Sequence, residues 1–211
     1  MSIDDKLSKL GPLQLDALKE VASIGAGNAA TSLSNMLDGK IEMTVPEVNI
    51  LPIAQVPEIM GGAEELITAI LVQTKGDIEG GVLFTLNISS ANLLIELLTG
   101  VEAQIQEKMG ELEISALEEI ANILTGSNLN AFSQMLDIQI TPHVPSLAYD
   151  MAGAILEVCF IELGQIGDYA LVIKTKFQSD VEQDISGHFF LIPDPDSLET
   201  ILNKLGVIVG E

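Results

Sequence analysis

Arginine is missing from this sequence of 211 residues: all nine basic side chains are Lys, against 31 Asp and Glu. No guanidinium fork is therefore present to clamp a phosphate in two places. A formal net charge of -22 also opposes nucleic acid, anionic membranes and free phosphorylated metabolites. The same acidity serves solubility, or a salty habitat, without any functional meaning. Cysteine is nearly absent. The single Cys159, in "ILEVCFIEL", excludes an internal disulfide and reads as a buried, inert thiol. No apolar run approaches the roughly 18 residues that span a bilayer, and "MSIDDKLSKLG" is not a charged-then-apolar leader, so a cytoplasmic protein with no membrane insertion is expected. His143 and His188 stand far apart without a Cys cluster. Neither a zinc site nor a Cys/His nucleophile pair is indicated, and no metal is expected in this chain.

What is present is an internal repeat. At a shift of 99 residues, "LDALKEVASIGAGNAATSLSNMLDGKIEMTVP" (15–46) lies over "ISALEEIANILTGSNLNAFSQMLDIQITPHVP" (114–145) with 13 identities in 32 positions. Farther on, "GDIEGGVLFTL" parallels "QDISGHFFLIP", so the whole chain reads as a duplication. Each half predicts a long helix, strands and a shorter helix. The first long helix starts near Pro12 and stops at Gly39. Strands follow in "IEMTVPEVNIL" and around "AILVQTKGDIEGGVLFTL", with a turn at Lys75, Gly76 and Asp77, and "SSANLLIELLTG" closes the half as a helix. The second half adds a helix-like segment, "SLAYDMAGAILEV", after Pro145. The expected fold class is α+β: duplicated helix-strands-helix units with approximate two-fold symmetry, and antiparallel sheet flanked by two long helices. A hydrophobic fraction of 47% suffices for this as one domain over 1–211, with repeats at about 12–105 and 110–211.

The second long helix carries Ser115, Glu119 and Asn122 within about 60° of one another, with Leu117, Ile120, Ala121 and Leu124 on the opposite side. A solvated face is the ordinary explanation, yet Asn competes for backbone hydrogen bonds and is a poor residue for a helix interior. The first half repeats the stripe as Asp16, Glu20 and Ser23. In both halves a proline, Pro145 or Pro46, follows 23 residues after the last of the three. "GAGNAA" at 25–30 matches a dinucleotide fingerprint in letters only, because a helix pattern precedes it where a strand is required. Its small residues fit close helix packing or a kink.

Asp or Ser, three residues, Glu, two residues, Asn, twenty-two residues, Pro: with this pattern in duplicate, and "IGAGNAAT" at 24–31, the chain resembles the CheC family of chemotaxis phosphatases along its whole length. The resemblance implies dephosphorylation of the aspartyl phosphate of the response regulator CheY. No cofactor of its own is implied, since Mg²⁺ and a lysine are expected on CheY. An acidic, arginine-free enzyme then supplies a neutral amide to orient water, for which Asn122 is the candidate. Glu119 is assigned to docking, Ser115 to a peripheral contact and Pro145 to shaping the backbone beside them. In the first copy Ser23 departs from the family's Asn. The site of Asp16, Glu20, Ser23 and Pro46 is expected to be weak or inactive, or to dock the regulator without turnover.

The alternative function is a non-catalytic adaptor for phosphorylated CheY or for the deamidase CheD. The segment from about Asp150 matches the helix that family members present to CheD, while the plain local reading of Asp150 is a helix cap. A flagellar-switch component would need a motor-binding domain, for which this length leaves no room.

Overall fold

A computed structural model describes residue 7 and residues 10–44, 47–105, 109–163, 169–179, 185 and 187–205. Helix α1, Pro12–Leu37, begins with proline at its first position, where a missing N–H costs nothing, and Gln14 accepts the Gly11 N–H at 2.9 Å. Helix α3, Glu111–Leu136, opens with Glu111 and Glu113 beside the positive end of its dipole. Both helices have 26 residues and both end in a left-handed aspartate, Asp38 (φ 47°) and Asp137 (φ 50°), whose N–H returns to Ser34 and Ser133 respectively. The stop expected at Gly39 thus falls one residue earlier, on a side chain that tolerates this conformation.

Between them lie β1 (Ile41–Met43), β2 (Glu47–Pro52), a 3-10 helix (Ile53–Met60), β3 (Leu66–Gly76), β4 (Gly80–Asn87) and α2 (Ile88–Thr99). After α3 come β5 (Ile140–Pro142), β6 (Ser146–Met151), α4 (Ala152–Glu162), β7 (Tyr169–Ser179), β8 (Gly187–Pro193) and α5 (Pro195–Lys204). The segment read as helix-like after Pro145 therefore divides. "SLAYDM" alternates as a strand and the helix begins only at Ala152.

Among the described residues the strands form one antiparallel sheet of eight. Its centre is β4 against β8, flanked by β3 and β7, with β5 and β6 on the β3 edge and β1 and β2 on the β7 edge. Each repeat therefore lends its first strands to the hairpin of the other. Gly76 is required where the edge turns. At φ 120° its Cβ would lie 2.3 Å from the Gln139 carbonyl oxygen, which accepts the Asp77 N–H.

Alternation assigns the two sheet faces. Ile70, Val82, Phe84 and Leu191 meet Leu18, Val21, Leu117, Ile120 and Leu124 of α1 and α3. Leu71, Leu83, Val172 and Phe190 face the other way, under Val56, Leu156 and Phe160 of the 3-10 helix and α4. The two long helices share one face of the sheet and pack on each other. Ser127 and Ser32 hydroxyls bond at 2.9 Å between them, and the buried Asn128 donates to the Leu124 carbonyl at 2.9 Å. Gly25 lies against that asparagine: a Cβ there would stand 2.5 Å from Asn128 Oδ1. Part of the "GAGNAA" run is thus a close helix contact.

Gly25→Ala is expected to cost about 1–3 kcal/mol of overpacking against the about 1 kcal/mol that alanine gains in a helix, a net destabilisation of up to about 2 kcal/mol. In an Asn128→Ala background the obstruction is gone and the sign reverses. Urea unfolding of the four proteins in this cycle measures both.

Candidate functional site

The rotation of α3 is fixed by its buried side. Leu117, Ile120, Ala121 and Leu124 are each at most 1% exposed. Ser115, Glu119 and Asn122 consequently face solvent, all three exposed, with Glu119 and Asn122 about 4.5 Å apart along the axis. The structure brings together the three residues of the second stripe that the spacing predicted. Pro145 stands off the helix. It is half-buried between β5, which packs against α3, and β6. Thr74 pairs with Pro142 but Leu71 with Ser146, so three residues of one strand oppose two of β3. This is a bulge, the place in an edge strand where a residue without an N–H is tolerated.

The first stripe has the same frame with different chemistry. Asp16 and Glu20 are exposed on α1, and Ser23 is half-buried with its hydroxyl donating to the Lys19 carbonyl at 2.7 Å. That proton is engaged within the helix. Lys19 itself occupies the position that Glu118 holds in the second copy, so the two stripes differ in sign at one point. A hollow of about 300 Å³ lies beside it, lined by Leu15, Asp16, Lys19, Glu47, Val48 and Asn49. Pro46 lies outside the described residues, but the flanking pairs, Met43 with Phe177 and Glu47 with Lys174, show the same one-residue change of register.

Sequence reasoning passed over Leu13 and Leu112. They occupy one position of the repeat, head the two stripes three residues before Asp16 and Ser115, and are 71% and 50% exposed. A leucine on the polar side of each helix was the signal.

Asp150 is exposed on β6, and its Oδ1 accepts the Met151 N–H at 2.7 Å. The helix N-cap is Met151, so the cap reading of Asp150 is replaced by a strand position just before α4. Beside it a cavity of about 410 Å³ runs between β6 and α4, touching Tyr149, Asp150, Ile155, Val158, Cys159 and Glu162. Val158, which lines it, is 54% exposed, and Met151 at the end of β6 and Ile161 on α4 are 44% and 72% exposed. His143 is exposed beyond β5, while His188 is buried on β8 with its ring centroid 6.0 Å from that of Phe190.

The segments carrying the stripes are those that match the model of the CheC-like family, residues 13–50 and 112–149. Over 92% of its length the chain is 35% identical to CheY-P phosphatase CheC of Bacillus subtilis, covering 94% of that protein. The chain belongs to the CheC family. The crystal structure of Thermotoga maritima FliY matches 93% of this chain and 98% of its own, with a TM-score of 0.76 at 20% identity. The CheX–CheY–BeF3–Mg²⁺ complex from Borrelia burgdorferi provides a match over 80% of this chain and 94% of the matched one, with a TM-score of 0.55 at 17% identity. These two likenesses concern the fold. No helix among the described residues is long and apolar enough to cross a membrane.

Burial, and secondarily the charge of Glu162, pushes the Cys159 thiol from its ordinary value of 9.0 up to about 12. At physiological pH such a thiol is in its neutral form, which is the poor nucleophile. Because its folded value is raised, the unfolded chain releases this proton first, and stability falls as pH rises above about 9. Iodoacetamide at pH 7.5 is expected to label native protein far more slowly than protein unfolded in urea. Equal labelling rates would show that the site is open.

Proposed function

We propose that this protein hydrolyses the aspartyl phosphate of CheY, with Asn122 orienting the attacking water and Glu119 docking the regulator. The observation that carries this reading is the exposed amide of Asn122. It lies in line with Glu119 and Ser115 on a helix whose other side is locked in the core. The B. subtilis relative named a CheY-P phosphatase and the fold-related CheX found in complex with CheY support the choice of partner.

The chemistry suits the charge of the chain. The water oxygen bonds to phosphorus in line as the bond from phosphorus to the aspartyl oxygen breaks. The aspartate leaves as carboxylate and the water's proton passes to the released phosphate. Cationic stabilisation of the phosphoryl oxygens is expected from Mg²⁺ and a lysine on CheY, so this protein contributes placement of water by a neutral group. Glu119, a turn away, would be repelled by the phosphoryl group and serves where it meets a basic side chain of the partner. Ser115 gives a peripheral contact and Pro145 shapes the backbone beyond β5. The first stripe is weak or silent in catalysis, since Ser23 is short and its hydroxyl is turned back to Lys19.

Asn122→Ala is expected to remove most phosphatase activity while changing stability by about 0.5 kcal/mol or less, as for other exposed polar positions. Glu119→Ala should weaken both regulator binding and turnover, and Glu20→Ala should cost less. Ser23→Asn should raise activity by restoring a longer amide. Decay rates of phosphorylated CheY at equal folded protein test all four. Full activity in Asn122→Ala, or its complete loss in Glu20→Ala alone, would overturn the assignment of catalysis to the second half.

A second contact is proposed with CheD at the β6–α4 surface, where Asp150 and Val158 line one cavity and Met151 and Ile161 are exposed on the same two elements. Asp150→Lys should weaken a measured CheD complex several-fold with the fold intact, and unchanged affinity moves the contact elsewhere.

A further inference from the structure

The stripe extends beyond Asn122. At about 100° per residue, Leu112, Ser115, Glu119, Asn122 and Gly126 fall within about 80° of one another on α3, as do Leu13, Asp16, Glu20, Ser23 and Gly27 on α1. Gly126 and Gly27 occupy the same position of the repeat, each in the interior of a 26-residue helix. Glycine is disfavoured there, since it loses more conformational freedom than alanine and gains nothing from its access to positive φ. A Cβ added to either would meet no atom within 4 Å. Gly25, two residues before Gly27, is the internal contrast, because its Cβ would strike Asn128 at 2.5 Å. The fold accounts for Gly25 and leaves the other two unexplained.

We infer that Gly126 is a positioning residue for the phosphorylated regulator. It leaves the surface one turn beyond Asn122 bare, so that the main chain beside the partner's aspartyl phosphate can approach α3 closely. This rests on the reading of α3 as the regulator's docking face, and it is continuous with that face. A methyl group at Gly126 stands between the two backbones, and a displacement of about 1 Å at a reacting centre costs about 100-fold in rate. The exposed Leu112 closes the other end of the same stripe, about 21 Å away along the axis, as an apolar contact.

The test compares the native protein with Gly126→Ala, Gly27→Ala and Asn122→Ala by thermal unfolding, by titration with phosphorylated CheY and by its decay rate. Gly126→Ala should unfold about 2–4 °C higher, as expected for alanine in an unobstructed helix position. Its decay rate should nevertheless fall by about tenfold or more, with weaker binding. Gly27→Ala should gain the same in Tm and lose less rate. A Gly126→Ala variant that keeps the native rate while Asn122→Ala loses it overturns the inference and leaves the proposed function standing. Loss of both Tm and rate in Gly126→Ala overturns it too, by making the glycine structural. If Asn122→Ala retains full activity, the docking face itself is misassigned, and the inference falls with it.

Discussion

The contact between α1 and α3 sets the orientation of everything that faces solvent. Gly25 lets the two helices close on Asn128, the Ser32–Ser127 hydrogen bond fixes their relative height, and leucine and isoleucine side chains below seat both on the sheet. An amphipathic helix held in this way cannot rotate without lifting its apolar side into water, at about 25 cal/mol for each Å² exposed. The polar stripes are therefore held outward by the core beneath them. Glu119 and Asn122 need no partner of their own to keep a fixed bearing.

The sheet reinforces that constraint by exchange. β1 and β2 pair with β7, and β5 and β6 pair with β3, so each repeat's first strands complete the other repeat's hairpin. The centre of the sheet, β4 against β8, is buried on both faces, and β8 is buried at every residue. Neither half can cover that centre alone. The bulges beside Pro145 and at the flanks of Pro46 fall on the exchanged edge strands, where an interrupted ladder disrupts pairing least.

Much of this was legible in the letters because the chain is written twice. Pro12, the 3.6-residue spacing and the paired prolines located both helices and both stripes, and the exposure of Ser115, Glu119 and Asn122 followed from the apolar residues opposite. The exchange was not legible, since strands of either half carry the same alternation and nothing local says which hairpin they join. "SLAYDM" was absorbed into a helix because the apolar run after it is helical, although its own alternation is that of a strand. Gly39 drew the helix end from its neighbour because glycine is the usual left-handed residue, yet Asp38 takes that conformation and Asp137 repeats it. The leucines heading each stripe were hidden by a habit of counting apolar residues as core.

Duplication gave two stripes one geometry, and the differences between them then lie in side chains alone. A helix of fixed bearing can exchange an exposed residue with little effect on stability, so Asn122 against Ser23, and Glu118 against Lys19, are changes that folding does not oppose. The same freedom is absent on the buried side, where Gly25 faces Asn128 while the equivalent positions of the other copy hold Leu124 and Ala29. A surface amide in a helix interior is slightly unfavourable by propensity, as is an unobstructed glycine. Neither residue at 122 or 126 is selected by the packing around it. The proposed docking of the regulator on the exposed face of α3 would give both residues the reason that packing does not.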